Sequence, residues 1–456
     1  MKRVIELIKE YINGFKGKKV GFIGCGISNM PIIELFAAAG IDVSVRDKKD
    51  NIENLARLRE LCVKIITGES YLDCIDESVI FLSPGVRGDL LELTEVKKNG
   101  TVLTTEMEEF FKLCKEKKAV KTIAVTGSDG KTTTTTLISE ILKASGKRVH
   151  IGGNIGKNLL ATLDDISDGD FVVAELSSFQ LMKMTVSPEI AVVTNISQNH
   201  LDWHRDMEEY IEAKTNIFNF QGKNDLLILN YDDEITREFS KRAKGRVKFF
   251  SAEKKLDDGI YLTEKGLYNK NELLLSQEDI LLVGIYNKLH YAAAIEATEG
   301  YYTKEGLQKV AGSFKGVEHR CELVRNKNGV LYYNSSIDSS PSRTTACLHA
   351  FENKVIVICG GYDKKIPLEP LGPLFLEKAK AVILMGDTAD KIDAILKNAG
   401  YRTCYRANDM VEAVKIAERI ADIGDSVVLS PAAASFDMYK NFEERGNLFK
   451  KIVNRL

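Results

Sequence analysis

The sequence predicts an α/β protein made of three doubly wound domains. Short apolar runs ending in Gly, Asp, Asn or Ser recur along its 456 residues. They are apolar on both faces, as parallel strands covered by helices are. Helix-like stretches such as TTTLISEILKAS and MEEYIEAKTNIFNF lie between them, giving the alternation of a parallel sheet. The chain is also too long for one ordinary domain.

The runs fall into three groups. KKVGFIGCG, DVSVRD and VIFLSPGV define a first domain over residues 1–105. KTIAVTG, FVVAELSS, IAVVTNIS and DLLILNYDD define a second over 106–317, and KVIVICGG, AVILMG and SVVLSP a third over 318–456. Residues 253–280 alternate and carry turn signals, which predicts a small antiparallel sheet appended to the second domain.

Composition narrows the function class. Hydrophobic residues make up 44% and charged residues 28%, as in soluble globular proteins. The 63 basic and 65 acidic residues nearly cancel, so no global field draws nucleic acid or an anionic membrane. None of the eight cysteines forms a C-x-x-C pair, which predicts reduced thiols. The N-terminal stretch lacks the apolar core of a signal peptide, and no run is long enough to span a membrane. The expectation is a cytoplasmic protein.

Four segments carry candidate chemistry. GSDGKTTTTT, Gly127–Thr136, follows a buried strand but departs from the usual phosphate loop, whose first glycine would stand at Val125. Its working parts remain. Gly127 and Gly130 let backbone N–H groups point inward, Lys131 supplies a charge, and Thr132 a hydroxyl for magnesium. In FVVAELSSFQ, Glu175 ends a strand and is either a magnesium ligand or a solvated carboxylate. In NISQNHLDWH, His200 and His204 are four apart and could share a helix face. Zinc needs a third ligand, and none is evident, so one histidine near a magnesium–phosphate cluster is preferred. Lys214, by pattern alone, is a solvated helix lysine.

The segment KKVGFIGCGISNM, followed by Asp47, approaches a dinucleotide fingerprint with Asn29 in place of its third glycine. It suits a phosphorylated nucleoside with Asp47 near a ribose or base. No hydride-transfer constellation accompanies it, so an NAD-dependent oxidoreductase has little support. GGYDKK, at 360–365, and LSPAAASFDMYKNFEERG, at 429–446, follow strands. They read either as ligand loops or as an ordinary loop and helix start.

Together these stretches resemble the Mur ligase family over nearly the whole chain. The resemblance is carried by TGSDGKTTTT, GGNIG at 152–156, ELSSFQL, NISQNHLDWH, EAK, HRCE, GGYDKK and LSPAAASFDMYKNFEERGN. It implies a Rossmann-like domain for a UDP substrate, a central P-loop ATPase-like domain, and a Rossmann-like domain for an incoming amino acid. The implied activity is ATP-dependent addition of D-glutamate to UDP-N-acetylmuramoyl-L-alanine through an acyl phosphate, in peptidoglycan precursor synthesis. A related amide ligase using another amino acid, and a nucleotide-binding paralogue with an impaired ATP site, are the alternatives.

Site roles follow from the same resemblance. ATP would meet Gly127, Ser128, Asp129, Gly130, Lys131, Thr132, Thr133, Asn287 and Arg320. Two magnesium ions would be held by Thr132, Glu175, His200 and a carbamylated Lys214. The UDP substrate would meet Ile27, Ser28, Asp47, Ser83, Pro84, Gly85, Asn154, Ser177 and Gln180. D-Glutamate would meet Ser339, Lys364, Ser435 and Phe442. The protein is expected to work as a monomer. Two places depart from the family pattern. Tyr286 and His290 replace a histidine and an asparagine around Asn287, and Ser335 stands where an aspartate is common, with Asp338 nearby.

Overall fold

The computed structural model describes residues 7–456 apart from 53, 118, 202 and 283. It divides into two compact units, Met1–Leu274 with His290–Val310, and Leu275–Leu289 with Ala311–Leu456.

The first unit holds a five-stranded parallel sheet: β1 (Lys19–Ile23), β2 (Asp42–Asp47), β3 (Lys64–Thr67), β4 (Val79–Leu82) and β5 (Val102–Thr104). The order is β3-β2-β1-β4-β5, so the chain reverses direction across the sheet between β1 and β4. Ligand crevices form at such points, outside the strands' carboxyl ends. The edge strands β3 and β5 are only partly buried and give weaker apolar patterns.

A charged pair lies inside this domain. Arg46 and Glu77 are buried, with Arg46 Nε 2.8 Å from Glu77 Oε1, and the Ser44 hydroxyl donates to the same carboxylate. The guanidinium also donates to the carbonyls of Tyr71, Asp73 and Cys74. Burial pushes the Glu77 pKa up, but Arg46 and Ser44 outweigh it and hold it below the usual carboxylate value. The stabilisation is therefore present above the unfolded carboxylate pKa and lost as pH falls through the lower folded one. Glu77→Gln leaves a buried guanidinium without its counter-charge and is expected to cost about 3–5 kcal/mol, read as a lower urea midpoint at neutral pH.

A nine-stranded sheet follows: β6 (Lys121–Thr126), β7 (Val149–Gly153), β8 (Phe171–Glu175), β9 (Ile190–Val193), β10 (Leu226–Asn230), β11 (Arg246–Ser251), β12 (Gly259–Thr263), β13 (Gly266–Asn269) and β14 (Glu272–Ser276). Its order is β14-β13-β12-β11-β10-β9-β6-β8-β7, which places β6 at the switch point between β8 and β9. The antiparallel strands expected over 253–280 are appended to the second domain as a continuation of this sheet. β12 joins β11 in parallel, Phe249 opposite Gly259, and the chain turns antiparallel only from β12 to β13. Period-two alternation reports strands but not the sheet they join.

The helix Lys131–Ala144 leaves β6 through the glycine loop. Its threonine run is tolerated because Thr133, Thr134 and Thr135 are buried, while the Thr136 hydroxyl bonds back to the Thr132 carbonyl at 2.7 Å.

The second unit holds β15 (Glu322–Lys327), β16 (Val330–Asn334), β17 (Val355–Cys359), β18 (Ala379–Leu384), β19 (Cys404–Arg406) and β20 (Ser426–Leu429). The order is β15-β16-β20-β17-β18-β19, parallel except for β15 against β16. Val357, Val382 and Val428 pack into one core, and Ile356, Ile383 and Val427 into another on the opposite face. Burial on both faces is why these strands read as unbroken apolar runs. Among the described residues, no helix is long and apolar enough to cross a membrane.

Candidate active site

The loop after β6 is a tight cradle. Gly127 has φ +148, and a Cβ there would lie 1.9 Å from Thr194 Oγ1. Gly130 caps the helix at φ +75, and a Cβ there would lie 1.9 Å from His290 Cε1. Both positions require glycine. Lys131 Nζ folds back on the carbonyls of Gly127 (3.0 Å) and Ser128 (2.8 Å). The segment after β9 braces the loop: Thr194 Oγ1 donates to the Asp129 carbonyl at 2.6 Å, and the Asp129 N–H donates to Asn195 Oδ1 at 2.9 Å. Ser128 Oγ donates to the Ser197 carbonyl and lies 2.9 Å from the Tyr210 hydroxyl. These bracing roles were absent from the sequence reading. The helix N-terminus adds partial positive charge where a phosphate would sit.

Gly130→Ala is expected to weaken ATP binding strongly. The left-handed backbone alone costs about 1–2 kcal/mol for a residue with a Cβ, and the methyl strikes the imidazole. Adding His290→Ala removes the clash but not the backbone cost, so the double variant should recover only part of the affinity measured by calorimetry.

Glu175 lies beside this loop, with Val125 of β6 as its register partner. It is buried. Its Oε1 accepts from Asn154 Nδ2 at 2.7 Å, and its buried Oε2 has no hydrogen-bond partner among the described residues. An open, buried carboxylate oxygen suits a cation.

Lys214, in the helix Met207–Asn219, is buried rather than solvated. Its Nζ donates to the Gly127 carbonyl at 2.7 Å and to Thr126 Oγ1 at 3.3 Å. Burial, then the charge of Lys131, push its pKa well below the usual lysine value.

His200 and His204 share no helix face, because both precede the helix start at Met207. His200 is exposed, has φ +54, and sets its ring 5.0 Å from Phe179. His204 is buried, 2.9 Å from Ser178 Oγ and stacked on Phe179, and burial lowers its pKa. It is a core histidine. Among the described residues, no three His, Cys, Asp or Glu side chains converge as metal ligands. Magnesium does not need such a cluster, since it takes one or two carboxylates with phosphate oxygens and water. The open oxygen of Glu175, on the strand beside the one that feeds the phosphate loop, fits that pattern.

At the other switch point, Asn29 explains its place in the fingerprint. Its buried amide donates to the Gly24 carbonyl at 2.8 Å and to Ser83 Oγ at 3.2 Å, tying the β1 loop to the Ser83–Gly85 turn. Asp47 accepts the Lys49 N–H at 3.0 Å and receives the Cys25 thiol. Ile27 is 91% exposed. A narrow crevice brings Ser28, Pro84 and Gln180 together with Glu106, whose carboxyl burial raises to about 7. Ser177 and Gln180 also cap the short helix Ser178–Leu181 reciprocally, a local role the sequence reading did not give them. A roomier hollow of about 430 Å³ beside Glu234 and Arg242 takes in none of the predicted site residues.

In the second unit, the loops after β16, β17 and β20 converge. Lys364 Nζ lies 3.4 Å from Ser339 Oγ, the Tyr362 N–H donates to the Ala434 carbonyl, and Ser336 Oγ donates to the Phe442 carbonyl. Ser435 is buried. Arg445, missed from sequence, is buried among these loops and donates to Ser336 and to the carbonyls of Ala433 and Ala434. Ser335 Oγ accepts the Cys321 N–H at 3.1 Å, directly after Arg320. Asp338 is buried against Ser430 Oγ at 2.8 Å, and burial raises its carboxyl to about 6.

Known proteins match in the same order as the three sheets. The Mur ligase MurD-like N-terminal domain matches residues 18–105, the Mur ligase middle domain 125–298, and the Mur ligase glutamate ligase domain 319–433. A UDP-N-acetylmuramoylalanine–D-glutamate ligase of Acetivibrio thermocellus is 46% identical over 464 residues, covering 98% of this chain and 99% of its own. The enzyme of the same name from Clostridium botulinum strain Langeland is 47% identical over 465 residues, covering both chains fully. The chain belongs to the Mur ligase family.

A Mur ligase solved from Thermotoga maritima, a UDP-N-acetylmuramate–alanine ligase, shares the fold at TM-score 0.58 and 20% identity, covering 96% of this chain and 99% of its own. This Mur ligase gathers Gly127–Thr133, Glu175 and Lys214 around one loop. It gathers Ser339 with Lys364 at another edge, whereas Asn287 and Arg320 belong to the second compact unit.

Proposed function

We propose that this Mur ligase joins D-glutamate to UDP-N-acetylmuramoyl-L-alanine and converts ATP to ADP and phosphate. The observation that carries the chemistry is the convergence on Gly127. Both Lys131 and Lys214 donate to its carbonyl, and Glu175 keeps an open oxygen beside the same loop. The substrate carboxylate attacks the γ-phosphorus, ADP leaves, and an acyl phosphate forms. The amine of D-glutamate then attacks the acyl carbon, loses a proton, and expels phosphate.

A carboxylate approaching a triphosphate meets strong repulsion. Lys131 offsets it at the γ-phosphate, with the loop N–H groups of 127–133 and the helix N-terminus aimed the same way. Thr132, Glu175, His200 and Lys214 would hold magnesium, which when bound supplies further charge neutralisation. Lys214 acts as a carbamate: its neutral amine adds to carbon dioxide, an N–C bond forms, and a proton leaves. Asn287 and Arg320 are assigned to ATP on the family resemblance alone. Ile27, Ser28, Asp47, Ser83, Pro84, Gly85, Asn154, Ser177 and Gln180 receive the UDP substrate. Ser339, Lys364, Ser435 and Phe442 receive D-glutamate, where a lysine and hydroxyls suit its side-chain carboxylate. The enzyme works in the cytoplasm as a monomer.

The test is phosphate release from ATP with UDP-N-acetylmuramoyl-L-alanine and a panel of amino acids. Release that requires both the UDP substrate and D-glutamate is expected. Release with a different amino acid would reassign the acceptor. No release from folded protein that still binds the UDP substrate would mark an ATP site impaired at His290 and Ser335.

A further inference from the structure

We propose that Lys183 is a positioning residue for the UDP substrate, holding the Ser83–Gly85 turn through its carbonyls. This rests on the reading of that turn as a diphosphate-binding element.

The turn leaves β4 at the switch point of the first sheet, and its three consecutive carbonyls are tied down from the neighbouring domain. Lys183 Nζ donates to the carbonyls of Ser83 (3.0 Å) and Pro84 (2.6 Å), and Trp203 Nε1 donates to that of Gly85 (3.1 Å). Carbonyl oxygens carry partial negative charge and repel a diphosphate. Donors that engage these oxygens reduce that repulsion, and an ammonium group bonded to the turn adds attraction.

The charges nearby favour this assignment. Arg87 lies 5.1 Å from the Trp203 ring and donates to the Trp203 carbonyl, but its charge is met by Asp89 and Glu209. Arg205 is paired with Glu209 as well, and His204 sits 3.4 Å from that carboxylate. Lys183, by contrast, donates to carbonyls and sits 6.0 Å from the Trp203 ring, and among the described residues no carboxylate pairs with it. Burial, then Arg87, lower its pKa to about 7. An anion at the turn opposes that shift and favours the ammonium form. The same two side chains also fix the turn relative to the His200 loop, since Trp203 lies on it three residues away.

The test compares full-length wild type with Lys183→Met, Lys183→Arg and Trp203→Phe. Binding of UDP-N-acetylmuramoyl-L-alanine is measured by calorimetry, and KM for each substrate, kcat and thermal midpoint are determined alongside. Lys183→Met is expected to raise KM and Kd for the UDP substrate about tenfold or more, with KM for ATP unchanged. Lys183→Arg should restore most of the loss, and Trp203→Phe should show a smaller shift in the same direction. An unchanged KM for the UDP substrate in Lys183→Met would overturn the proposal. So would equal rises for all substrates with a lowered thermal midpoint, which would make Lys183 a structural tie. Should Lys183→Met fail to fold, Lys183→Arg and Trp203→Phe decide by the same split. Wild type that does not bind the UDP substrate would instead overturn the reading of the turn itself.

Discussion

Lys131→Ala is expected to abolish turnover, lowering kcat by about a thousandfold or more while the protein stays folded. The ammonium group donates to backbone carbonyls of its own loop, those of Gly127 and Ser128, and the loop's bracing through Thr194, Asn195 and Ser197 does not run through it. Its charge is needed when the substrate carboxylate meets the γ-phosphate, where two anions must approach to bonding distance. The loop amides and helix N-terminus remain in the variant, so ATP should still bind, though more weakly. The loss should fall chiefly on kcat, as expected for an interaction that strengthens in the transition state. Phosphate release and the thermal midpoint together check this. Near-normal turnover would remove the loop from the chemistry.

The parts of this site legible in sequence are those whose chemistry is local. Strand, glycines, lysine and hydroxyls lie within one short stretch, and the structure keeps them together. Glu175 was legible by position, because residues ending strands of a parallel sheet lie at the ligand edge. Lys214 was not legible from pattern, though a signal existed: it stands four residues from Tyr210 and from Phe218, on the helix's buried face. A lysine in an apolar stripe is costly unless it is used. The histidine spacing misled because a period of four implies a shared face only within a helix, and the helix starts later. Arg46 with Glu77, Arg445, and Lys183 with the Ser83–Gly85 turn depend on partners far apart in the chain. Long-range pairing of that kind leaves no mark on local pattern. The strands after β11 show the same limit, since alternation does not say which edge a strand will join.

Lys214→Ala is expected to be inactive and partly rescued by a small added carboxylate such as acetate. The physical reason begins at the Gly127 carbonyl, which accepts from both Lys131 and Lys214. Two ammonium ions sharing one acceptor in a buried site repel, and burial already disfavours the charge on Lys214. The lowered pKa leaves the amine neutral at lower pH than an ordinary lysine, and a neutral amine is the form that adds to carbon dioxide. Carbamylation would turn one of two repelling cations into an anion, which would attract Lys131 and offer oxygens beside the phosphate loop. Alanine removes the scaffold for that anion, and a diffusible carboxylate can return an oxygen ligand but not its positioning, so rescue should be partial. Isotope-labelled bicarbonate should give wild type a carbamate resonance that the variant lacks. Full activity of Lys214→Ala without any additive would show that the buried amine serves packing alone.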